Sequence, residues 1–220
     1  MPVQPHTTRW IRRCAIAATL VVTALPAAAQ NTVANFNSLT DGGLGVRLVA
    51  NCYVEANLRF TVVGDACGTS DSFASWGPTE SAYYSGSPAL FNNSSTGTAV
   101  DITGVNGNRF SFFSIGLAPY LGLFGGSTTV SFVGNLFGGG TVSRDITIAG
   151  GTNAQSTFTF NNFTSLTSLR LTVTSPAFDP YVQFDNVTAS VVPEPASVAL
   201  MAAGLISIGA VLRRRRGTVL

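Results

Sequence analysis

Hydrophobic and polar residues alternate in short runs through most of the chain between residues 30 and 191. The clearest run covers residues 53–63, where apolar and polar side chains take turns. Successive side chains of a β-strand point to opposite faces, so this run predicts a strand with one buried face. Similar runs predict further strands at 99–103, 109–117, 128–133, 141–149, 157–160, 168–174 and 181–191.

Turn residues separate these runs, with Gly, Asn, Ser and Pro concentrated at 104–108, 138–140, 150–153 and 175–176. Many short strands at near-regular spacing are typical of an antiparallel sandwich or barrel. We therefore predict an all-β fold, an antiparallel β-sandwich, for one domain over residues 30–191. Residues 65–95 lack the alternation, and we predict a long ordered loop there. The alternating phenylalanines predicted to lie in the core are Phe110, Phe112, Phe158 and Phe160.

The first 29 residues have the three parts of a secretory signal peptide. A basic part contains Arg9, Arg12 and Arg13, and an apolar part follows at 14–25. Pro26 ends the apolar part before a stretch of alanines. The small residues required before a cut at Gln30 are Ala27 and Ala29. This order predicts removal of residues 1–29 by signal peptidase.

The last 29 residues, 192–220, also form an ordered series. Pro193, Glu194 and Pro195 precede seventeen uncharged residues, 196–212. As a helix this stretch is about 25 Å long, close to the ~30 Å apolar core of a bilayer. The basic cluster that follows consists of Arg213, Arg214, Arg215 and Arg216. Such a cluster stays cytoplasmic, which leaves the preceding domain outside the inner membrane.

This C-terminal series resembles the PEP-CTERM sorting signal of Gram-negative bacteria that make exopolysaccharide. The resemblance implies that an exosortase, a membrane transpeptidase, cuts near the motif. The protein would then be anchored transiently in the inner membrane and passed to the cell surface or extracellular matrix. The alternative is an ordinary tail anchor with a proline-rich stalk.

The charge of the predicted domain argues against several functions. It has five arginines, no lysine and nine acidic residues, which leave a net charge of −4. Scattered arginines do not favour nucleic acid as a partner, because phosphate binding needs clustered cations. The chain's histidine, His6, lies in the predicted signal peptide, which excludes histidine-dependent triads and imidazole metal sites from the domain.

Two cysteines, Cys52 and Cys67, remain after Cys14 leaves with the signal peptide. An exported domain matures where thiols are oxidised, so we predict a disulfide between them. Closing a loop of about 15 residues stabilises a fold by roughly 3 kcal/mol. Two buried free thiols are the alternative.

Residues 35–39, 159–169 and 184–187 resemble strands of jelly-roll domains that are common among PEP-CTERM proteins and carbohydrate-binding modules. That resemblance implies a structural calcium held by Asp185, with Asn37 as a neighbour. Oxygen ligands suit calcium. A surface aspartate in a hydrogen-bonded turn is an equal alternative for Asp185, and no other cofactor is expected.

The predicted loop carries candidate glycan contacts, because sugars stack their apolar faces on aromatic rings. The candidates are Trp76, Tyr83 and Tyr84; their alternative role is to hold the loop on the sandwich. A glycosidase needs two facing carboxylates, and nothing in the spacing of Glu55 and Glu80 pairs them. We expect a non-enzymatic surface or matrix protein associated with exopolysaccharide. A carbohydrate-binding module is the alternative, and a carboxylate-based hydrolase comes third.

Overall fold

The computed structural model of the chain describes residues 30–40, 45–95, 99–175 and 181–192, together with Gly204. Thirteen strands lie in these ranges, and every pairing between them is antiparallel. In chain order, β1–β13 are Gln30–Ala34, Val46–Val49, Tyr53–Glu55, Leu58–Val62, Phe73–Trp76, Leu90–Asn92, Ala99–Gly104, Arg109–Pro119, Thr128–Leu136, Thr141–Ile148, Ser156–Thr159, Leu166–Ser175 and Val182–Val192. Short 3₁₀ helices lie at Asn37–Leu39, Val105–Gly107 and Gly122–Phe124. The prediction of an all-β antiparallel fold is confirmed.

The strands form two layers. One layer has the order β2-β5-β6-β13-β8, with β1 paired to β13 and β11 paired to β8. The other has the order β3-β4-β7-β12-β9-β10. A single pair, Leu166 in β12 opposite Phe110 in β8, joins the layers into one sheet. The result is a β-sandwich that is nearly closed into a barrel.

The core lies between the layers and is rich in phenylalanine. Phe60 of β4 stacks on Phe184 of β13, with ring centroids 5.9 Å apart. Phe36 contacts both rings edge-on, at 5.2 and 5.8 Å. At the other end of the sandwich, Phe112 of β8 lies 6.3 Å from Phe132 of β9. Three of the four phenylalanines predicted to be core residues, Phe110, Phe112 and Phe160, are confirmed as buried, whereas Phe158 is partly buried and packs against the core cluster.

The prediction of one strand over residues 53–63 is wrong, because the run is a hairpin. Strands β3 and β4 are joined by a two-residue turn in which Ala56 and Asn57 have φ of 53° and 61°. Two residues with positive φ match the twist of paired strands. The turn interrupts the alternation, and Val54, predicted to be buried, is 48% exposed.

Two further predictions need correction. The segment 65–95 is not one long loop, since it contains strands β5 and β6. Both are buried on their two faces, so they lack the polar–apolar alternation that identifies a strand in the sequence. Residues 35–39 are not a first strand: β1 ends at Ala34 and a 3₁₀ helix follows.

The predicted disulfide is confirmed. Cys52 and Cys67 are bonded, with their Cα atoms 5.1 Å apart, and the bond ties the start of β3 to the segment that leads into β5. The targeting segments lie outside the described residues: the signal peptide at 1–29, the motif residues Pro193, Glu194 and Pro195, and the basic cluster Arg213–Arg216. The part of the chain that is described contains no helix long and apolar enough to cross a membrane.

Candidate functional site

The outer face of the first layer carries a second group of aromatic residues. In β5, Phe73 belongs to the core, so its neighbours at odd spacing, Ala74 and Trp76, point outward. Ala74 is paired with Phe91 of β6, which is also outside the core. On β13, Gln183 and Asp185 face outward on either side of the core residue Phe184. The sheet therefore packs aromatic residues on both of its faces.

We call Trp76, Tyr83, Phe91, Tyr120 and Phe124 the outer aromatic cluster. Tyr83 and Phe91 both stack on Trp76, with ring centroids 4.7 and 5.2 Å away. Tyr120 lies 4.9 Å from Phe91. Phe124 lies 5.9 Å from Tyr83 and is 71% exposed. The cluster thus runs from a buried ring to a ring in solvent.

Two side-chain amide groups, from Gln183 and Asn153, hold the segment 77–89 over this face. The Nε2 of Gln183 donates to the carbonyls of Tyr83 at 2.8 Å and Pro119 at 2.9 Å. The Nδ2 of Asn153 donates to the carbonyls of Ser81 at 2.8 Å and Tyr84 at 3.0 Å. Because these donors bind backbone, they position Tyr83 without using its side chain.

A close backbone approach joins the same segment to the turn after β8. A Cβ atom on Gly122 would lie 2.1 Å from the carbonyl oxygen of Ala82, and Gly122 has φ of +54°. The amide of Leu123 donates to that carbonyl at 3.1 Å. Glycine satisfies both the space and the dihedral angle here. This contact brings Tyr120 and Phe124 beside Tyr83.

A surface pocket of about 480 Å³ opens beside the cluster. It is lined by Gly45, Val46, Trp76, Tyr83, Tyr120 and Leu121, and Glu80 contributes the carboxylate of this lining. The volume lies within the usual range for small-ligand sites, roughly 300–1,000 Å³. The indole N–H of Trp76 is buried and has no hydrogen-bond partner among the described residues. An unpaired buried donor of this kind costs free energy in the folded state.

The structure brings two of the three predicted glycan contacts together. Trp76 and Tyr83 line the pocket, whereas Tyr84 does not. Sequence reasoning did not identify Tyr120 and Leu121, which come from another segment, and it assigned no binding role to Glu80. Nothing in the sequence around residue 120 signals that it meets residue 83. Whether these residues bind a glycan stays a prediction.

Asp185 is buried, at 0% exposure, within a set of hydrogen-bond donors. Ser87 Oγ donates to Oδ2 at 2.5 Å, and the Asn186 amide donates to Oδ1 at 2.6 Å. Burial raises the pKa of the Asp185 carboxyl above its ordinary value, although these hydrogen bonds act in the opposite direction. The cost of burying the carboxylate is thus only partly offset.

The possible calcium site receives no support from these contacts. Asn37 lies in the first 3₁₀ helix, where it contacts Asn35 and Thr40, and none of the contacts described for it involves Asp185. Calcium takes six to eight oxygen ligands, but the groups on Asp185 are mostly N–H and O–H donors. The described residues contain no group of three or more His, Cys, Asp or Glu side chains suited to a metal. Calcium binding stays a prediction.

The glutamates considered for catalysis have separate surroundings. Glu55 Oε1 accepts hydrogen bonds from the amides of Asn35 and Phe36, both at 3.0 Å, and Oε2 accepts from the Tyr53 hydroxyl at 2.8 Å. Glu55 thereby holds Phe36 in a left-handed conformation, with φ of 50°. Glu80 instead lines the pocket. No described contact joins the two carboxylates.

Two aspartates line a second, polar pocket of about 280 Å³, together with Thr69, Asn93, Ser94 and Ser95. Asp65 accepts hydrogen bonds at both carboxylate oxygens, from Ser72 at 2.6 Å and Ser94 at 2.9 Å. Asp71 is the other acid. The bonds to Asp65 connect the segment before β5 to the segment after β6.

Solved structures similar to this chain include enzymes and carbohydrate-binding modules. An exo-β-agarase matches with a TM-score of 0.41 and 10% identity over 76% of this chain. The C-terminal family 22 carbohydrate-binding module of Clostridium thermocellum Xyn10B matches at 0.35 and 13%, covering 73% of this chain and 91% of the module. A variant of the family 29 module CBM29-2 matches at 0.34 and 12%, covering 74% and 93%.

These likenesses concern the fold and carry no argument about activity. The chain spans 25% of the length of the exo-β-agarase and of a second agarase, AgWH50C, which matches at a TM-score of 0.38 with 11% identity over 68% of this chain. Curated protein sequences contain no significant match to the chain.

The C-terminal segment matches a known sorting motif. Residues 191–216 match the PEP-CTERM protein-sorting motif, as the order of Pro193, Glu194 and Pro195, the apolar stretch and the arginines predicts. This motif implies export, transient membrane anchoring and processing by an exosortase. The chain therefore carries a PEP-CTERM sorting signal on a β-sandwich, and it is an exported protein destined for the cell surface or the extracellular space.

Proposed function

We propose that this protein is a non-enzymatic glycan-binding protein of the cell surface or matrix, which binds exopolysaccharide at the pocket beside Trp76. The observation that carries the proposal is the composition of the pocket. Aromatic rings, an apolar Leu121 side chain and a carboxylate line one cavity of about 480 Å³. Sites for small ligands combine an apolar lining with a few polar groups in this way.

The groups in and beside the pocket match the two surfaces of a sugar ring. The apolar C–H face of a sugar stacks on an aromatic ring, and Phe124 offers a ring that is 71% exposed. Sugar hydroxyls require hydrogen-bond partners when they leave water. Glu80 provides an acceptor in the lining of the pocket.

A hydrolase fits this pocket less well. Glycoside hydrolysis uses two carboxylates about 5–10 Å apart on either side of the bond that breaks. Glu80 contributes the one carboxylate of the described lining, and Glu55 is bonded to the backbone of Asn35 and Phe36. These contacts support binding without catalysis.

The same proposal includes the maturation of the chain. Signal peptidase would cut between Ala29 and Gln30, with Ala27 and Ala29 as the small residues that it recognises. An exosortase would cut near Pro193–Pro195. The arginines at 213–216 would remain on the cytoplasmic side until that cut. Mass spectrometry of the released protein should find an N-terminus near Gln30 and no residues beyond about Pro195. Finding the arginine cluster in released protein would contradict the processing.

A pair of neighbouring tyrosines offers the sharpest test of the glycan site. Tyr83 and Tyr84 are both half-buried and lie on the same segment, but only Tyr83 belongs to the pocket lining. The exported protein and its Tyr83→Ala and Tyr84→Ala variants should be compared on a glycan array, with circular dichroism as a check of the fold.

We expect Tyr83→Ala to lose binding and Tyr84→Ala to keep it. Loss of one stacking ring should weaken binding by about two- to twelvefold from stacking itself, since such contacts contribute roughly 0.5–1.5 kcal/mol beyond the area they bury. If the exported protein binds no glycan, or if both variants bind equally well, the proposed site is wrong.

A further inference from the structure

The described lining of the pocket beside Trp76 carries negative charge and no positive charge. Glu80 lines it, and no arginine or lysine is among its described lining residues. The arginines of the described domain have partners elsewhere or lie on the other layer. Arg47 donates to the Ser38 carbonyl, Arg109 stacks on Phe137, Arg144 stacks on Phe160, Arg170 pairs with Asp101, and Arg59 is exposed on β4. A ligand in the pocket therefore meets negative charge without compensation.

The carboxylate of Glu80 lies against the backbone at the pocket edge. A Cβ atom added to Gly45 would be 2.3 Å from Glu80 Oε1, so the carboxylate occupies the space that a side chain would take there. No hydrogen bond to this carboxylate is described within the residues that the structure covers. It is available as an acceptor for a ligand.

The aromatic rings around Glu80 add a second attraction for cations. The π-face of Trp or Tyr attracts an ammonium group through the ring quadrupole. Trp76, Tyr83 and Tyr120 line the pocket with Glu80, and because Tyr83 and Phe91 both stack on Trp76, this attraction falls to the two tyrosines. A carboxylate next to aromatic faces is a combination that favours an alkylammonium ligand over a neutral one and disfavours an anion.

We propose that this pocket selects a hexosamine unit with a free, protonated amino group, as found in a de-N-acetylated polysaccharide. The inference rests on the proposed glycan-binding function and names the sugar class. The ammonium donates to Glu80 while the apolar face of the sugar stacks on the aromatic rings. A uronate brings its carboxylate towards Glu80, and like charges repel. N-acetylation removes the charge that the pocket attracts.

Four oligosaccharides of equal length provide the test: β-linked oligomers of glucosamine, N-acetylglucosamine, glucose and glucuronate. Binding to the exported protein is measured by isothermal titration calorimetry at about pH 6, where an amine of ordinary basicity is protonated. We expect the glucosamine oligomer to bind about tenfold or more tightly than the N-acetylated and glucose oligomers. The glucuronate oligomer should bind most weakly.

A charge-neutral variant isolates the role of Glu80. Glu80→Gln should reduce the preference for glucosamine to about twofold or less, because it removes the charge and keeps the shape. Asp145→Asn is the matched control, since Asp145 is an exposed acid on β10 outside the pocket. Its preference should equal that of the unaltered protein. Raising the salt concentration should weaken glucosamine binding to the unaltered protein more than glucose binding.

The possible outcomes distinguish a failure of amino-sugar selection from a failure of the proposed glycan binding. Equal binding of glucose and glucosamine oligomers, with no effect of Glu80→Gln, would overturn the selection for amino sugars and leave the glycan site intact. Tightest binding of glucuronate would overturn it as well. If none of the four binds and the glycan array is also negative, both proposals fall.

Discussion

The two aromatic groups on either face of the first layer differ in composition and exposure. The inner group consists of the phenylalanines Phe36, Phe60, Phe73 and Phe184, all at 0% exposure. The outer aromatic cluster contains Trp76, two tyrosines and a solvent-exposed Phe124. Ring contacts hold both groups together, edge-on for most pairs of the inner group and stacked at Trp76 in the outer one, but only the outer group combines rings with polar atoms.

Aromatic packing by itself therefore does not identify a core or a site. Strand β13 has residues on both faces of the layer, with Phe184 in the inner group and Gln183 on the outer face. Gln183 donates to backbone carbonyls of the surrounding loops, whereas Phe184 contacts other rings. A polar residue that organises loops on one face thus lies next to a ring that fills the core on the other.

The largest effect is expected in the inner group. Phe184→Ala should lower the free energy of unfolding by about 3–5 kcal/mol, because it removes a ring that contacts Phe36, Phe60 and Phe73 and leaves a cavity. Urea unfolding followed by fluorescence measures the change. A loss below about 1 kcal/mol would contradict the assignment of this group as the core.

The disulfide should come next. Replacing both Cys52 and Cys67 by Ala should lower the free energy of unfolding by roughly 3 kcal/mol, since the unfolded chain regains the freedom of a 15-residue loop. Unfolding with and without a reductant gives the comparison. The reductant should destabilise the unaltered protein and leave the double variant unchanged; an equal response of both would refute the prediction.

The burial of Asp185 on the outer face predicts a pH dependence of the free energy of unfolding. Because its pKa is raised in the native state, the native protein binds its proton to higher pH than the unfolded chain. The free energy of unfolding therefore falls as pH rises from the ordinary carboxyl pKa of about 4 to the raised native value. Asp185→Asn removes this pH-dependent contribution to the free energy of unfolding. Ser87, Gln155, Asn186 and Glu55 remain around the site.

The variant should thus gain stability relative to the unaltered protein as pH rises from about 3.5 to about 7. Urea unfolding at both pH values measures the difference between the two proteins. A difference that stays constant, or that moves the other way, would show that burial does not dominate the titration of Asp185.

The smallest effect on stability is expected at the exposed edge of the outer cluster. Phe124→Ala should change the free energy of unfolding by no more than about 0.5 kcal/mol, because the ring is largely in solvent. Phe137→Ala is a matched control, since Phe137 is also exposed but packs under Arg109 on the β9–β10 hairpin. Only Phe124→Ala should weaken glycan binding. Equal binding by both variants would place the sugar away from Phe124.

Sequence reasoning predicted most of the strands whose residues differ between the two faces, although it missed the short strands β1 and β2. Strand β9, with Val130 and Phe132 buried between half-exposed neighbours, has such a pattern. It failed at β5 and β6, where the second face is covered by the outer cluster and polar alternation is missing. It also failed at Ala56 and Asn57, because a two-residue turn without glycine or proline leaves little mark in the pattern.

The sequence by itself determined the all-β fold, the pairing of two cysteines and the C-terminal sorting signal, because each depends on local order or on composition. Tertiary structure decided that Trp76, Glu80 and Tyr83 meet Tyr120 and Leu121 in one pocket. That meeting requires the pairing of β2 with β5, the bonds from Gln183 and the close approach at Gly122. These contacts join residues far apart in the chain, and a period of two residues contains no information about them.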